Sequence, residues 1–164
     1  MSALEKMSGF DWKQYLDLAV ELFGDQPVSS DEAKYRTVIS RAYCAALMAA
    51  REYLASPSWG LGYPVDHARA SDEMRSGHDL IMERLKREGR VREERRLLEI
   101  AKLLEELRRK RASADYDTPY KNGQVSLEDE AAYCLREAEE VIEKIDTLKE
   151  GLNQPRQPEG EEVG

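Results

Sequence analysis

Between Lys34 and Leu54 the chain reads KYRTVISRAYCAALMAAREYL, and small or apolar side chains fall on almost every side of the helix this stretch predicts. A helix that is apolar nearly all round cannot face water on a broad side, so it belongs in the middle of a bundle. Ala45, Ala46, Ala49 and Ala50 let neighbouring backbones approach closely, while Tyr35, Ile39, Tyr43, Leu47 and Leu54 fill the space between them. Arg36, Ser40 and Arg41 lie among these packing positions. A guanidinium is tolerated in such a place only when it is paired, which predicts polar partners from another helix or another subunit.

Around this helix the remaining pattern is helical throughout. Asp11 with Gln14 has capping-box spacing, Phe10 with Tyr15 has staple spacing, and Trp12, Leu16, Ala19 and Phe23 form one stripe that Gly24 closes. Asp25 to Val28 reads as a loop; Ser29 with Glu32 caps the central helix, which ends near Ala55 before Pro57. The run Ser56 to Tyr63 is broken by glycine and proline, and its Trp59, Leu61 and Tyr63 either fold back on the core or form an exposed contact. A third helix is expected from about Ser71 to Glu88 with stripe Met74, His78, Ile81 and Leu85, closed by Gly89. A fourth runs from about Val91 to Ala114 with Leu97, Ile100, Leu104 and Leu107 inside, followed by a polar turn over Asp117 to Val125. Ser126 with Asp129 starts a fifth, carried by Ala131, Leu135, Ala138, Ile142 and Ile145. The expectation is an all-α, up-and-down bundle of four to five helices over residues 1–150, with 151–164 a disordered acidic tail.

The 164 residues suffice for one domain with a sizeable core. The start Met1-Ser2-Ala3-Leu4-Glu5-Lys6 lacks a basic segment followed by a long apolar run, and no apolar segment is long enough to span a bilayer; both point to a cytoplasmic protein without membrane contact. Cys44 and Cys134 sit within helical patterns and read as reduced core thiols. Neither they nor the isolated His67 and His78 have metal-site spacing, so no metal and no cofactor is expected. A net charge of −8 counts against general nucleic-acid binding, yet cations crowd the stretch from Arg84 to Arg111. Such a run serves either as a local phosphate-attracting face or simply as a solvated helix surface.

One position breaks a pattern. The inner stripe Leu97, Ile100, Leu104, Leu107 steps next onto Arg111, an always-charged group where a further leucine is expected. Ser113, Asp115, Tyr116 and Asp117 follow it. A cation beside a hydroxyl and two carboxylates at a helix end suits a phosphate-handling or inter-subunit site; it equally suits a structural pair of Arg111 with Asp115, four residues on.

The central helix, with Ser40-Arg41-Ala42-Tyr43 and then Ala45-Ala46, resembles the second helix of the HEPN superfamily. His78 ahead of an apolar helix, then a long helix ending in Arg111 to Asp117 as Arg-x-x-Ala-Asp-Tyr-Asp, resembles one prokaryotic branch of it. The resemblance covers about residues 10–148. It implies a dimerising helical bundle whose Arg-x4–6-His motifs meet in a shared cleft, active members being metal-independent endoribonucleases in which the RNA 2′-OH attacks the adjacent phosphate. It also implies a place in toxin–antitoxin, CRISPR or antiviral defence systems, often beside a nucleotidyltransferase-like partner.

On this pattern Arg111, Tyr116 and Asp115 are the catalytic candidates, and Arg108, Arg109 and Lys110 the RNA-binding ones. Arg36, Ser40, Arg41, Tyr43 and Trp59 are the candidates for an interface in a homodimer or with a related helical or nucleotidyltransferase-like protein. The chain departs from the motif in carrying Tyr116 where the family has histidine and Ala112 where it has asparagine. A phenol titrates near pH 10 and is a poor proton shuttle at neutral pH. His78 is then the only alternative imidazole in a plausible place, and it lies on an apolar stripe, where a core or helix-contact histidine is the favoured reading over a catalytic one. The favoured expectation is therefore a non-catalytic interaction module; the alternative is a metal-independent endoribonuclease using Arg111 and Tyr116 in a dimer cleft.

Overall fold

A computed structural model describes residues 13–24, 32–58, 60–62, 77–117 and 125–153. Among the described residues five helices form: α1 (Lys13–Gly24), α2 (Glu32–Ala55), α3 (Gly77–Val91), α4 (Arg95–Tyr116) and α5 (Leu127–Asn153). Among the described residues there is no strand, and the helices pack as the expected all-α bundle. The caps placed at Asp11 and Ser29, the loop from Asp25, and residues 63–76, 118–124 and 154–164 lie outside the described residues.

Helix α2 is the axis of the bundle and touches all four others, as its all-round apolar pattern requires. Val38, Ile39, Ala42, Tyr43, Ala46, Leu47 and Ala50 are buried along it. Helix α1 lies against α2 and α5 and contributes buried Ala19, with the Phe23 ring 6.0 Å from that of Tyr35. Among the described helices, α3 touches only α2 and α4. The stripe Leu97, Ile100, Leu104, Leu107 of α4 is fully buried, as are Ala131, Ala138 and Ile145 of α5.

After α2 the chain turns tightly back on itself. A Cβ on Gly60 would fall 1.8 Å from the Tyr53 carbonyl oxygen, and Gly62 has φ +70, so both positions demand glycine. This turn carries Leu61 onto the core, the fold-back alternative for that residue, and the Leu61 amide donates to the Tyr53 carbonyl at 2.9 Å. Trp59 and Tyr63 lie outside the described residues.

The joint between α3 and α4 differs from expectation. Gly89 does not end α3, which continues to Val91, and α4 starts at Arg95 instead of Val91. Gly89 is buried, and a Cβ there would stand 2.8 Å from Leu98 Cδ2 and 2.9 Å from Leu98 Cγ. Its role is close approach of the two helices, not termination. Termination comes at Glu93, whose φ of 55 puts it in the left-handed region. There the Glu94 amide donates to the Gly89 carbonyl at 2.9 Å and the Glu93 amide to the Arg90 carbonyl at 3.4 Å, a Schellman closure. The Glu94 side chain then accepts from the Arg96 amide and caps α4. Because a side chain in the left-handed region costs energy that glycine avoids, Glu93→Gly should stabilise the protein by about 0.5–1 kcal/mol, net of backbone entropy. A thermal melt checks this: an unchanged or lower midpoint would contradict it.

At the start of α5 the expected cap is in place, with the Asp129 amide donating to Ser126 Oγ at 3.1 Å and Ser126 Oγ donating back to Asp129 at 2.7 Å. Helix α5 runs two residues past Gly151, the position where the tail was expected to begin. No helix of the described residues is long and apolar enough to cross a membrane.

Candidate functional site

On α4, residues 108, 111, 112 and 115 fall at helical spacing on one face, because i, i+3, i+4 and i+7 lie above one another. The last turn of α4 reaches Tyr116, so Asp115 and Tyr116 are helical and not part of the following turn. That face meets Tyr43 from the middle of α2 and His78 from the first turn of α3. Together Tyr43, His78, Arg108, Arg111, Ala112, Asp115 and Tyr116 line a pocket of about 260 Å³. Arg108 and Ala112 are shared with a larger groove of about 670 Å³ between α3 and α4, which also holds Asp79, Glu83, Lys86 and Arg109.

Tyr43 is the hub. It is fully buried, its ring stacks on His78 with centroids 5.6 Å apart and planes 18° from parallel, and its hydroxyl is hydrogen-bonded to His78 Nδ1. The Arg111 guanidinium lies 5.3 Å from the same ring, within cation–π range. Burial pushes the Tyr43 phenol up to about 12 against the opposing pull of Arg108 and Arg111, so it keeps its proton at physiological pH. Tyr43 was expected at an interface between proteins; its complete burial makes it an inner wall of the pocket instead.

Arg111 does not occupy a full core position. Its side chain is 32% exposed and its Nε donates to Asp115 at 3.1 Å, the structural pair that the spacing allowed. Burial works against its charge, but the hydrogen bond to Asp115 and neighbouring groups outweigh this and hold the guanidinium above its ordinary value. Arg108 is paired with Asp79 of α3. Tyr116 stands at the rim, 83% exposed.

The three consecutive cations proposed for RNA part company, since successive helical residues point about 100° apart. Arg108 enters the pocket. Arg109 faces the larger groove and makes no ion pair among the described residues. Lys110 turns inward, 2.6 Å from the buried Glu130 and 4.6 Å from the Tyr133 ring centroid. Lys110 thus serves as a structural cation, while it still lines, with Glu106, Arg109 and Ser113, a shallow pocket of about 280 Å³.

The expectation that Arg36 needs a partner from another helix or subunit is met within the chain. It donates to the Ala114 carbonyl at 2.5 Å, the Asp117 carbonyl at 2.7 Å and the Glu32 carboxylate at 2.7 Å. It therefore caps the free carbonyls at the end of α4 and needs no second subunit. Arg41 lies 5.3 Å from the Tyr15 ring, and Ser40 is half-buried. Trp59 lies outside the described residues.

No protein-family model, curated protein or solved structure matches this chain. Its chemistry is therefore read from the pocket's own side chains. Two guanidiniums, two phenols, an imidazole and the Asp115 carboxylate line it from three helices, a set whose cations suit an oxyanion and whose imidazole suits proton transfer. Cys44 and Cys134 are both free thiols; burial pushes Cys134 up to about 12, which makes it inert. Among the described residues no three His, Cys, Asp or Glu side chains gather as a metal site would need. The α4 face was legible in the spacing of Arg108, Arg111 and Asp115. The meeting of His78 with Arg111 was not, because no local pattern links residues on separate helices.

Proposed function

We propose that this chain is a HEPN-like protein of a prokaryotic defence, toxin–antitoxin or CRISPR-associated system, and that the pocket is a metal-independent endoribonuclease site. One observation carries the reading: His78 lines the same small pocket as Arg111 and Arg108. Preference for a non-catalytic module followed from the absence of a histidine after Arg111, and an imidazole from α3 removes that reason. Arg111 uses Nε for Asp115, which leaves its terminal N–H groups to receive a phosphate. Association into a homodimer would bring two such pockets into a shared cleft, as the resemblance implies.

The experiment is incubation of the purified protein with an RNA oligonucleotide and a metal chelator. The expected products carry a 2′,3′-cyclic phosphate and a 5′-hydroxyl, and the DNA strand of the same sequence, lacking the attacking hydroxyl, stays intact. RNA left whole at micromolar protein over hours would sink this reading.

A second reading has its own support. Arg111 and Arg108 each already hold a carboxylate of this chain, and Tyr116, at the family's histidine position, projects into solvent. Those pairings suit a helical interaction module that binds a related helical or nucleotidyltransferase-like protein and does not cut RNA.

A further inference from the structure

We propose that Tyr133, Glu106 and Glu137 form a proton-operated latch between α4 and α5, in which Glu137 takes up a proton on mild acidification and the seam tightens. The proposal is independent of the ribonuclease reading. Tyr133 of α5 is the centre of the cluster. Its ring packs partly buried against the core, with the Lys110 ammonium of α4 at 4.6 Å and the Arg136 guanidinium of α5 at 6.0 Å from its centroid. Its hydroxyl donates to Glu106 Oε1 of α4 at 2.9 Å. Glu137 stands one turn further along α5 on the same face, half-buried, with its carboxyl in hydrogen-bonding reach of the same hydroxyl.

A phenol has one proton to give, and here Glu106 receives it. An ionised Glu137 offers only lone pairs, so it meets the phenol oxygen acceptor to acceptor, with the Glu106 charge close by. A protonated Glu137 instead donates to that oxygen. Glu137 then gives to Tyr133 and Tyr133 to Glu106, and the row crosses from one helix to the other with a proton in each bond. The proton comes from bulk water, and loss of one of two facing charges removes the repulsion between α4 and α5.

Burial, and then the charges of Glu140 and Glu106, hold the Glu137 carboxyl above its ordinary range, against the pull of Tyr133 and Arg136. Burial and the bond to Glu106 raise the Tyr133 phenol, so it stays protonated throughout. The ammonium groups of the seam are committed elsewhere. Lys110 is held by Glu130 at 2.6 Å, and Lys144 is shared between Glu99 at 3.0 Å and Glu140 at 3.3 Å. Lys102 and Arg109 occupy exposed positions of α4 on either side of Glu106, and the buried Cys134 thiol beside the cluster keeps its proton. Of the other helices packed on α5, α1 brings Lys13, paired with Asp146 more than two turns beyond Glu137. The buried titratable groups of α2 are the phenols of Tyr43 and Tyr53. A carboxyl that binds its proton more tightly in the folded state destabilises that state when ionised. The penalty fades as pH falls through the folded pKa toward the ordinary carboxylate value.

The test is a set of thermal melts at about pH 7.5, 6 and 5 on the wild type and on Glu137→Gln, whose amide donates to the phenol as the protonated acid does. Near pH 7.5 the variant should melt roughly 2–4 °C above the wild type, and the gap should close by about pH 5. In a Tyr133→Phe background the same substitution should gain half as much or less, because the oxygen that receives the amide is gone. Glu139→Gln, on the exposed side of α5, is the control and should follow the wild-type profile at each pH. Carbon NMR of the unaltered chain gives a second reading that needs no variant to fold. The Glu137 carboxyl, assigned through its bonds to the backbone, should titrate above the exposed glutamates. A gap that stays constant with pH, or a Glu137 carboxyl that titrates with the rest, overturns the latch.

Discussion

Replacing Arg111 with alanine is expected to lower RNA cleavage by about 100- to 1,000-fold while the protein stays folded. On the ribonuclease reading the expected loss is large, because Arg111 uses Nε for Asp115 and its terminal N–H groups would meet the charge that develops on the phosphate in the transition state. The expected structural effect is small. The Arg111–Asp115 pair is about one-third exposed on both sides, at 32% and 28%, and such pairs contribute on the order of 0.5 kcal/mol. Arg111→Lys should recover only part of the rate, since an ammonium lacks the forked geometry that grips two phosphate oxygens. Cleavage rates beside circular dichroism check both halves. A folded Arg111→Ala protein that still cuts RNA at the wild-type rate contradicts the assignment of the pocket. If the wild type does not cut and the variant instead loses a protein partner, the interaction-module reading gains.

The largest effect on stability is expected at Glu130→Ala. Glu130 is nearly inaccessible on α5 and receives the Lys110 ammonium at 2.6 Å, with Lys110 itself mostly buried and resting over Tyr133. Removing the carboxylate strands an ammonium between α4 and α5. Breaking one side of a buried pair costs about 3 kcal/mol, which for a chain of this size lowers the melting midpoint by roughly 10 °C. The double variant Glu130→Leu with Lys110→Met should regain most of the loss, because apolar replacement of both partners leaves no unpaired charge. A Glu130→Ala midpoint within 2 °C or so of wild type, by the same scale, would show that the ammonium finds solvent without difficulty.

Much of the architecture was legible before any coordinates. The central position of α2 follows from its all-round apolar pattern, and the buried stripe of α4 from Leu97, Ile100, Leu104 and Leu107. The Ser126–Asp129 cap was likewise written locally. Such features depend on side chains within a few residues of one another, where helical periodicity leaves little freedom. The misplaced joint between α3 and α4 shows the limit. Gly89 carries the same letter whether it stops a helix or admits a neighbour, and only the proximity of Leu98 tells which.

The candidate site divides along the same line. Arg111 as a pattern break, its pairing with Asp115, and the departure at Tyr116 were all readable along one helix. The inward turn of Lys110, the capping of α4 by Arg36 and the union of His78 with Tyr43 and Arg111 were not. Periodicity states which side of a helix faces inward, but not which residue of another helix it meets there. That depends on how helices slide and rotate to close-pack, an outcome of the whole core at once. The chain's local spacing thus pointed to an all-α bundle of four to five helices with one anomalous cation; packing of α3 against α2 and α4 decided that the cation has an imidazole for company.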